Sequence, residues 1–163
     1  MKVVARHNSA DTLSPAAVAH LDSSEVASFG LEIGREYTVF GMTLDRHGLF
    51  VLILAGKHGP RPSTVSIELF DVTDPRLGED WLFRHQHEGG GTLHAMWGYP
   101  ELVEDEMGFD GLFSEPRLSA HHALIDAIHR EDIGESERAD VEAFEAYVKR
   151  RTAPEEPQDE SQD

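Results

Sequence analysis

Three features of the sequence predict an α+β fold. Runs of period-two hydrophobicity cluster within residues 31–83, turns rich in glycine and proline separate them, and two apolar stripes at helical spacing follow in residues 116–131 and 136–151. The expected architecture is a small curled antiparallel sheet or partly open barrel of about four or five strands, with two or three C-terminal helices packed on it.

The elements follow in order. Val3, Val4 and Ala5 mark a short first strand in residues 2–7. Ser14-Pro15-Ala16-Ala17 is a helix start, with serine as N-cap and proline at the first helical position, and the helix should end near Asp22. Residues 36–44 alternate, with Tyr37, Val39 and Thr43 on one face and Phe40, Met42 and Leu44 on the other. Residues 49–55 are seven apolar residues in a row, as in a strand covered on both faces. Asp45-Arg46-His47-Gly48 joins these two as a hairpin turn. Residues 56–64 read as a longer exposed loop, and residues 65–72 as a third alternating strand. A turn at residues 74–78 precedes Trp81-Leu82-Phe83, a fourth strand. Residues 84–91, ending in three glycines, read as a loop or bulged turn.

The order Leu-x-Ile-Gly-x-Glu-Tyr-x-Val-x-Gly from Leu31 to Gly41, then Glu-Leu-Phe-Asp-Val-x-Asp from Glu68 to Asp74, then Trp81, resembles a group of small bacterial immunity proteins of polymorphic toxin systems and their uncharacterised relatives. The shared positions are strand and turn residues. The resemblance therefore implies a fold and a protein partner, and brings no catalytic residues with it.

Residues 1–151 read as one domain, and residues 152–163 as a disordered acidic tail with two prolines and five acids. There is no cysteine, no apolar run long enough to cross a membrane and no apolar signal core before the first charges, so a cytoplasmic protein is expected. Charge is the strongest global feature. Asp plus Glu number 31 against 14 Lys plus Arg, a formal net charge of -17. Such a chain repels nucleic acid and anionic membranes and attracts a cationic partner. The plainer reading is that the acids serve solubility.

Residues 88–115 hold seven acids and no Lys or Arg, interleaved with large apolar residues. A short helix starting at Pro100 would present Leu102, Val103 and Met107 on one face, with Gly108 just past its end. On the ordinary reading its acids are a solvated face. On the sharper one they rim a protein interface, with Trp97 and Tyr99 as aromatic anchors and Glu101, Glu104, Asp105, Glu106 and Asp110 as the charges.

The first C-terminal helix, in residues 116–131, has Leu118, His121, Leu124, Ile125 and Ile128 on one face. The second has the stripe Val141, Phe144 and Val148, begins with Glu137 and Asp140 and ends with Lys149-Arg150-Arg151, as the helix dipole favours. Histidines fall in two groups: His85, His87 and His94, and His121, His122 and His129. His122, Asp126 and His129 share a helical face, and His85 and His87 would point the same way on a strand. Either arrangement offers ligands to a metal, but no His-Glu-x-x-His or other zinc spacing occurs. There is no phosphate-loop pattern and no serine elbow, so no cofactor and no enzymatic activity are expected.

The expected function is an acidic protein-binding module, specifically an immunity protein that neutralises a basic toxin, for instance a nuclease, by occluding it. The alternatives are a metal-binding protein or metal-dependent hydrolase built on the histidines, and an accessory docking domain of a larger assembly.

Overall fold

A computed structural model describes residues 1–21, 28–56, 58–87, 93–104, 112 and 118–152. The class is α+β. The strands are β1 (Lys2–Ala5), β2 (Glu36–Thr38), β3 (Gly41–Asp45), β4 (Gly48–Ala55), β5 (Arg61–Ser66), β6 (Phe70–Asp74), β7 (Leu82–His87) and β8 (Leu93–Gly98). Among the described residues, the helices are α1 (Pro15–Val18), α2 (Pro100–Val103), α3 (Leu118–Ile128) and α4 (Glu135–Thr152). None of the described helices is long and apolar enough to cross a membrane.

The strands form two antiparallel sheets that do not close into a barrel: three strands in the order β2-β1-β6, and five in the order β5-β4-β3-β8-β7. β4 explains the layering. Its Leu52 and Leu54 join a core with Leu102, Leu124, Ile128, Phe144 and Val148 from the helices. Its Val51, Ile53 and Ala55 join a second core with Val3, Ala5, Tyr37 and Phe70 from the smaller sheet. The unbroken apolar run is therefore a strand buried on both faces, and each Val, Leu or Ile so buried contributes roughly 1.5–3 kcal/mol.

Two of the expected strands are divided. The alternation in residues 36–44 breaks between β2 and β3, where the chain passes from the small sheet to the large one. The side-chain phase slips there: Tyr37, Val39 and Met42 share one core, while Phe40 enters the other. Residues 65–72 divide in the same way around a 3-10 turn, Ile67–Leu69, which carries the chain from β5 to β6. Period-two patterning survives such a crossover only piecewise, since one irregular residue exchanges the two faces.

The hairpin at Asp45–Gly48 forms as expected, with Asp45 opposite Gly48, the His47 N–H donating to Asp45 Oδ1 at 2.7 Å, and Gly48 at φ 132°. The expected loop at residues 56–64 is shorter, because Arg61 already pairs with Ala55. β7 runs on to His87, so the first part of residues 84–91 is strand rather than loop, and the three glycines lie outside the described residues. β8 went unforeseen. Its Met96 and Trp97 are both large and apolar but face opposite cores, which hides the alternation.

The helix starts and buried faces match their sequence signals, although α1 ends at Val18, short of the expected Asp22. Ser14 Oγ accepts from the Ala17 N–H and Pro15 opens α1. In α3, Leu124 and Ile128 are fully buried and His121 nearly so. α4 buries Val141, Phe144 and Val148 and ends in three cations. Of the predicted face of α2, Leu102 and Val103 are buried, and Met107 and Gly108 lie outside the described residues, as do residues 153–163 of the expected tail.

His121 gives the fold a pH dependence. It is 2% exposed and packs edge-on against Phe144, with ring centroids 5.6 Å apart. Burial, reinforced by Arg151, Arg61 and His122, holds its pKa below the ordinary histidine value. The unfolded chain therefore binds a proton first as pH falls below about 6.5, so this stability is complete above that pH and is lost as pH falls toward the folded value. Urea melts of His121→Phe should show a shallower loss of stability on mild acidification than the parent. An unchanged slope would mean that the decline has another source.

Candidate acidic cleft

β6 ends in a turn that is closed locally. Asp74 Oδ1 accepts from the Arg76 N–H at 3.0 Å, and the Arg76 guanidinium returns to the same carboxylate, with Nη2 2.6 Å from Oδ2. These bonds hold the Asp74 carboxyl far below the usual carboxylate range. The chain then runs close over Trp81. A Cβ at Gly78 would lie 2.4 Å from Trp81 Cδ1 and 2.7 Å from Tyr99 Oη, so only glycine fits without displacement.

Tyr99 forms the floor. It follows β8, is 2% exposed, and donates its hydroxyl to Glu131 Oε1 at 2.7 Å. Burial and then the Glu131 carboxylate push the phenol pKa up strongly. Trp81 meets the ring edge-on at 6.1 Å, and the Arg130 guanidinium lies 5.3 Å from its centroid. Arg130 also pairs with Glu101, with Nη1 donating to Oε2 at 3.1 Å.

Between the turn after β6 and the C-terminal end of α3 lies a cleft of about 440 Å³. Asp74, Glu79, Asp80, Glu131 and Asp132 line it, together with Lys2, Arg76 and Arg130. The lining Lys and Arg side chains are already engaged: Arg76 by Asp74, Arg130 by Glu101, and Lys2 by Glu36 at 3.7 Å. Glu79, Asp80 and Asp132 are exposed, and Leu77 stands beside them at 44% exposure. The cleft therefore offers carboxylates to solvent next to an apolar side chain.

Comparisons with protein-family models, with curated proteins and with solved structures find no match for this chain.

The anchors expected from sequence do not assemble around α2. Tyr99 is core and floor rather than an exposed anchor, because its ring is enclosed by Trp81, Arg130 and the helical core. Trp97 is half-buried on the opposite face of the sheet, against the core shared with the small sheet, so it does not stand beside α2. Glu101 is engaged by Arg130. Glu104 is exposed, and its carbonyl accepts from Arg84 Nη1 at 3.4 Å. Asp105, Glu106 and Asp110 lie outside the described residues.

Glu79, Asp80, Glu131 and Asp132 were missed. Their sequence signal was two adjacent acid pairs, each at the end of an element: one after the Asp74–Gly78 turn and one after α3. Among the described residues, the histidines do not form a metal centre. His122 and Asp126 are exposed on α3 and His129 is exposed just past its end, with its Nε2 2.9 Å from Glu145 Oε1. Among the described residues, no group of three or more His, Asp or Glu side chains is placed to hold a metal ion.

Proposed function

We propose that this chain is an acidic protein-binding module that neutralises a basic protein partner by occlusion, as the immunity protein of a toxin pair. The observation that carries this reading is the cleft between the β6 turn and the end of α3, where five carboxylates line solvent-accessible space and the three lining Lys and Arg side chains are engaged by acids of the same chain. A lysine or arginine entering it meets the exposed carboxylates of Glu79, Asp80 and Asp132, and Leu77 supplies apolar contact at the rim. The net charge of -17 extends the attraction beyond the cleft and speeds encounter. A nuclease must be basic to hold phosphates, so carboxylates that imitate its substrate's charge suit such a target. The resemblance of residues 31–81 to immunity proteins supports the same assignment. Occlusion needs surface complementarity and no chemistry.

The test is rescue. The product of the neighbouring gene should arrest growth when expressed alone, and co-expression of this chain should restore it. Asp80→Lys and Asp132→Lys should each slow association several-fold at low ionic strength while changing dissociation little, and the difference should shrink as salt rises. Rescue that survives both reversals together, or a partner that is itself acidic, would refute the proposal.

A further inference from the structure

Positive charge is scarce in this chain: 14 Lys and Arg stand among 31 Asp and Glu, so a cation has many acids within its reach. Lys2, Arg6, Arg35, Arg76 and Arg130 each pair with one. Where the last turn of α4 meets the start of β5, the pattern reverses. Lys149, Arg150 and Arg151 are exposed at the end of the helix, and Arg61 opens β5. Among the described residues, none of these four pairs with an acid. The helix dipole accounts for the first three, since its C-terminal end favours cations. It does not account for Arg61.

Tyr147 gathers the group. The Arg61 guanidinium carbon lies 3.7 Å from the centre of its ring and that of Arg151 5.8 Å, with Arg151 Nη1 donating to Tyr147 Oη at 3.1 Å. Arg61 Nη1 donates to the Pro60 carbonyl at 2.8 Å. Stacking on a ring leaves the rim of a guanidinium, where its other donors lie, open to an oxyanion. The layer below adds no negative charge. His121, 2% exposed, meets Tyr147 edge-on with centroids 6.0 Å apart, and the charged groups that bear on it are Arg151, Arg61 and His122, all basic.

We propose that the carboxylates of residues 155–163 dock in cis on this group of cations, around Tyr147. The segment follows Thr152, the last residue of α4, and holds Glu155, Glu156, Asp159, Glu160 and Asp163 with no Lys or Arg. Five acids thus stand beside four cations. Residues 153–163 span up to roughly 35 Å when extended, ample to return over the one helical turn from Arg151 to Tyr147 and Arg61. Attachment selects this occupant. A separate acidic protein, or a second copy, is repelled by the net charge of -17. The tail is already tethered, at an effective concentration in the millimolar range. Covering these cations also removes a face that would repel the basic partner proposed above.

The chain has no cysteine, so Ser161→Cys accepts a single nitroxide label in the full-length protein. At low salt the label should broaden the amide resonances of Arg61 and Ser63 on β5, and high salt should remove the broadening by screening. Replacing the five tail acids by their amides should remove it too, and should shift the Arg61 Nε–H resonance in protein that carries no label. Arg61→Gln and Arg150→Gln should each reduce the broadening at Ser63 several-fold. Arg150 is exposed, so its variant should keep the parent melting temperature and separates loss of docking from loss of fold. Broadening at β5 that is absent, that survives high salt, or that is equal with acids and amides would overturn the proposal. So would broadening confined to mixtures in which label and isotope sit on different copies, or β5 resonances that move only when a separate acidic protein is added.

Discussion

Replacing Glu137 by alanine is expected to lower the unfolding free energy by about 3 kcal/mol, because it strips two buried donors of their acceptor at once. Glu137 lies in the first turn of α4 and is 6% exposed. Its Oε1 accepts from the Thr38 N–H and its Oε2 from the Thr38 hydroxyl, both at 2.6 Å, and Thr38 is fully buried at the end of β2. Short bonds from neutral donors to a carboxylate are stronger than their neutral counterparts. The site lies at the middle of a clasp. Arg35, just before β2, donates Nη2 to the Ser136 carbonyl at 2.7 Å and pairs with Asp140. Alanine therefore loosens the small sheet from α4 as well as leaving Thr38 unsatisfied. Glu137→Gln should cost less than alanine, since its oxygen still accepts from the amide and its NH₂ donates to the threonine oxygen. Urea titration should show a lower midpoint with the slope unchanged. A loss below about 1 kcal/mol for alanine would mean that water replaces the carboxylate and that the clasp rests on Arg35.

Gly78→Ala should cost about 1–3 kcal/mol by overpacking. The added methyl would lie 2.4 Å and 2.5 Å from Trp81 Cδ1 and Nε1 and 2.7 Å from Tyr99 Oη. Neither ring has an easy retreat: Trp81 packs against both cores, and Tyr99 is held by Glu131. The turn must lift instead, carrying Glu79 and Asp80 away from Glu131 and Asp132 across the cleft. A single methyl should thus lower the melting temperature and, if the proposed partner docks in the cleft, weaken that docking. Tryptophan emission offers a direct check, since displacing Trp81 admits water to a half-buried indole. A variant as stable as the parent, with unchanged emission, would show that the turn relaxes freely.

The helices and the first hairpin were legible because their determinants are local. The Ser14-Pro15 start, the Val141–Phe144–Val148 stripe and the Asp45–Gly48 turn each specify their geometry within a few residues. Division of the strands between two sheets was not legible, since a phase slip at Phe40 or at Ile67–Leu69 acquires meaning only against the opposing layer. The same limit scattered the expected anchors. Trp97 and Tyr99 lie two residues apart, yet one belongs to the core beneath the small sheet and the other to the helical core. The acids of the cleft come from segments about fifty residues apart, so their convergence depends on how α3 docks rather than on any motif. Glu137 looked like an ordinary acid complementing a helix dipole, and its burial follows from β2 lying across the start of α4.

The pairing of β1 between β2 and β6 has a consequence for how the molecule comes into being. Val3 needs Tyr37 on one side and Val72 on the other, so β1 finds its second neighbour only after the growing chain has passed residue 72. The large sheet waits longer still, because β3 is flanked by β8. Neither layer can close before its distal strand has been made, and β1 is held in an unfinished state until then.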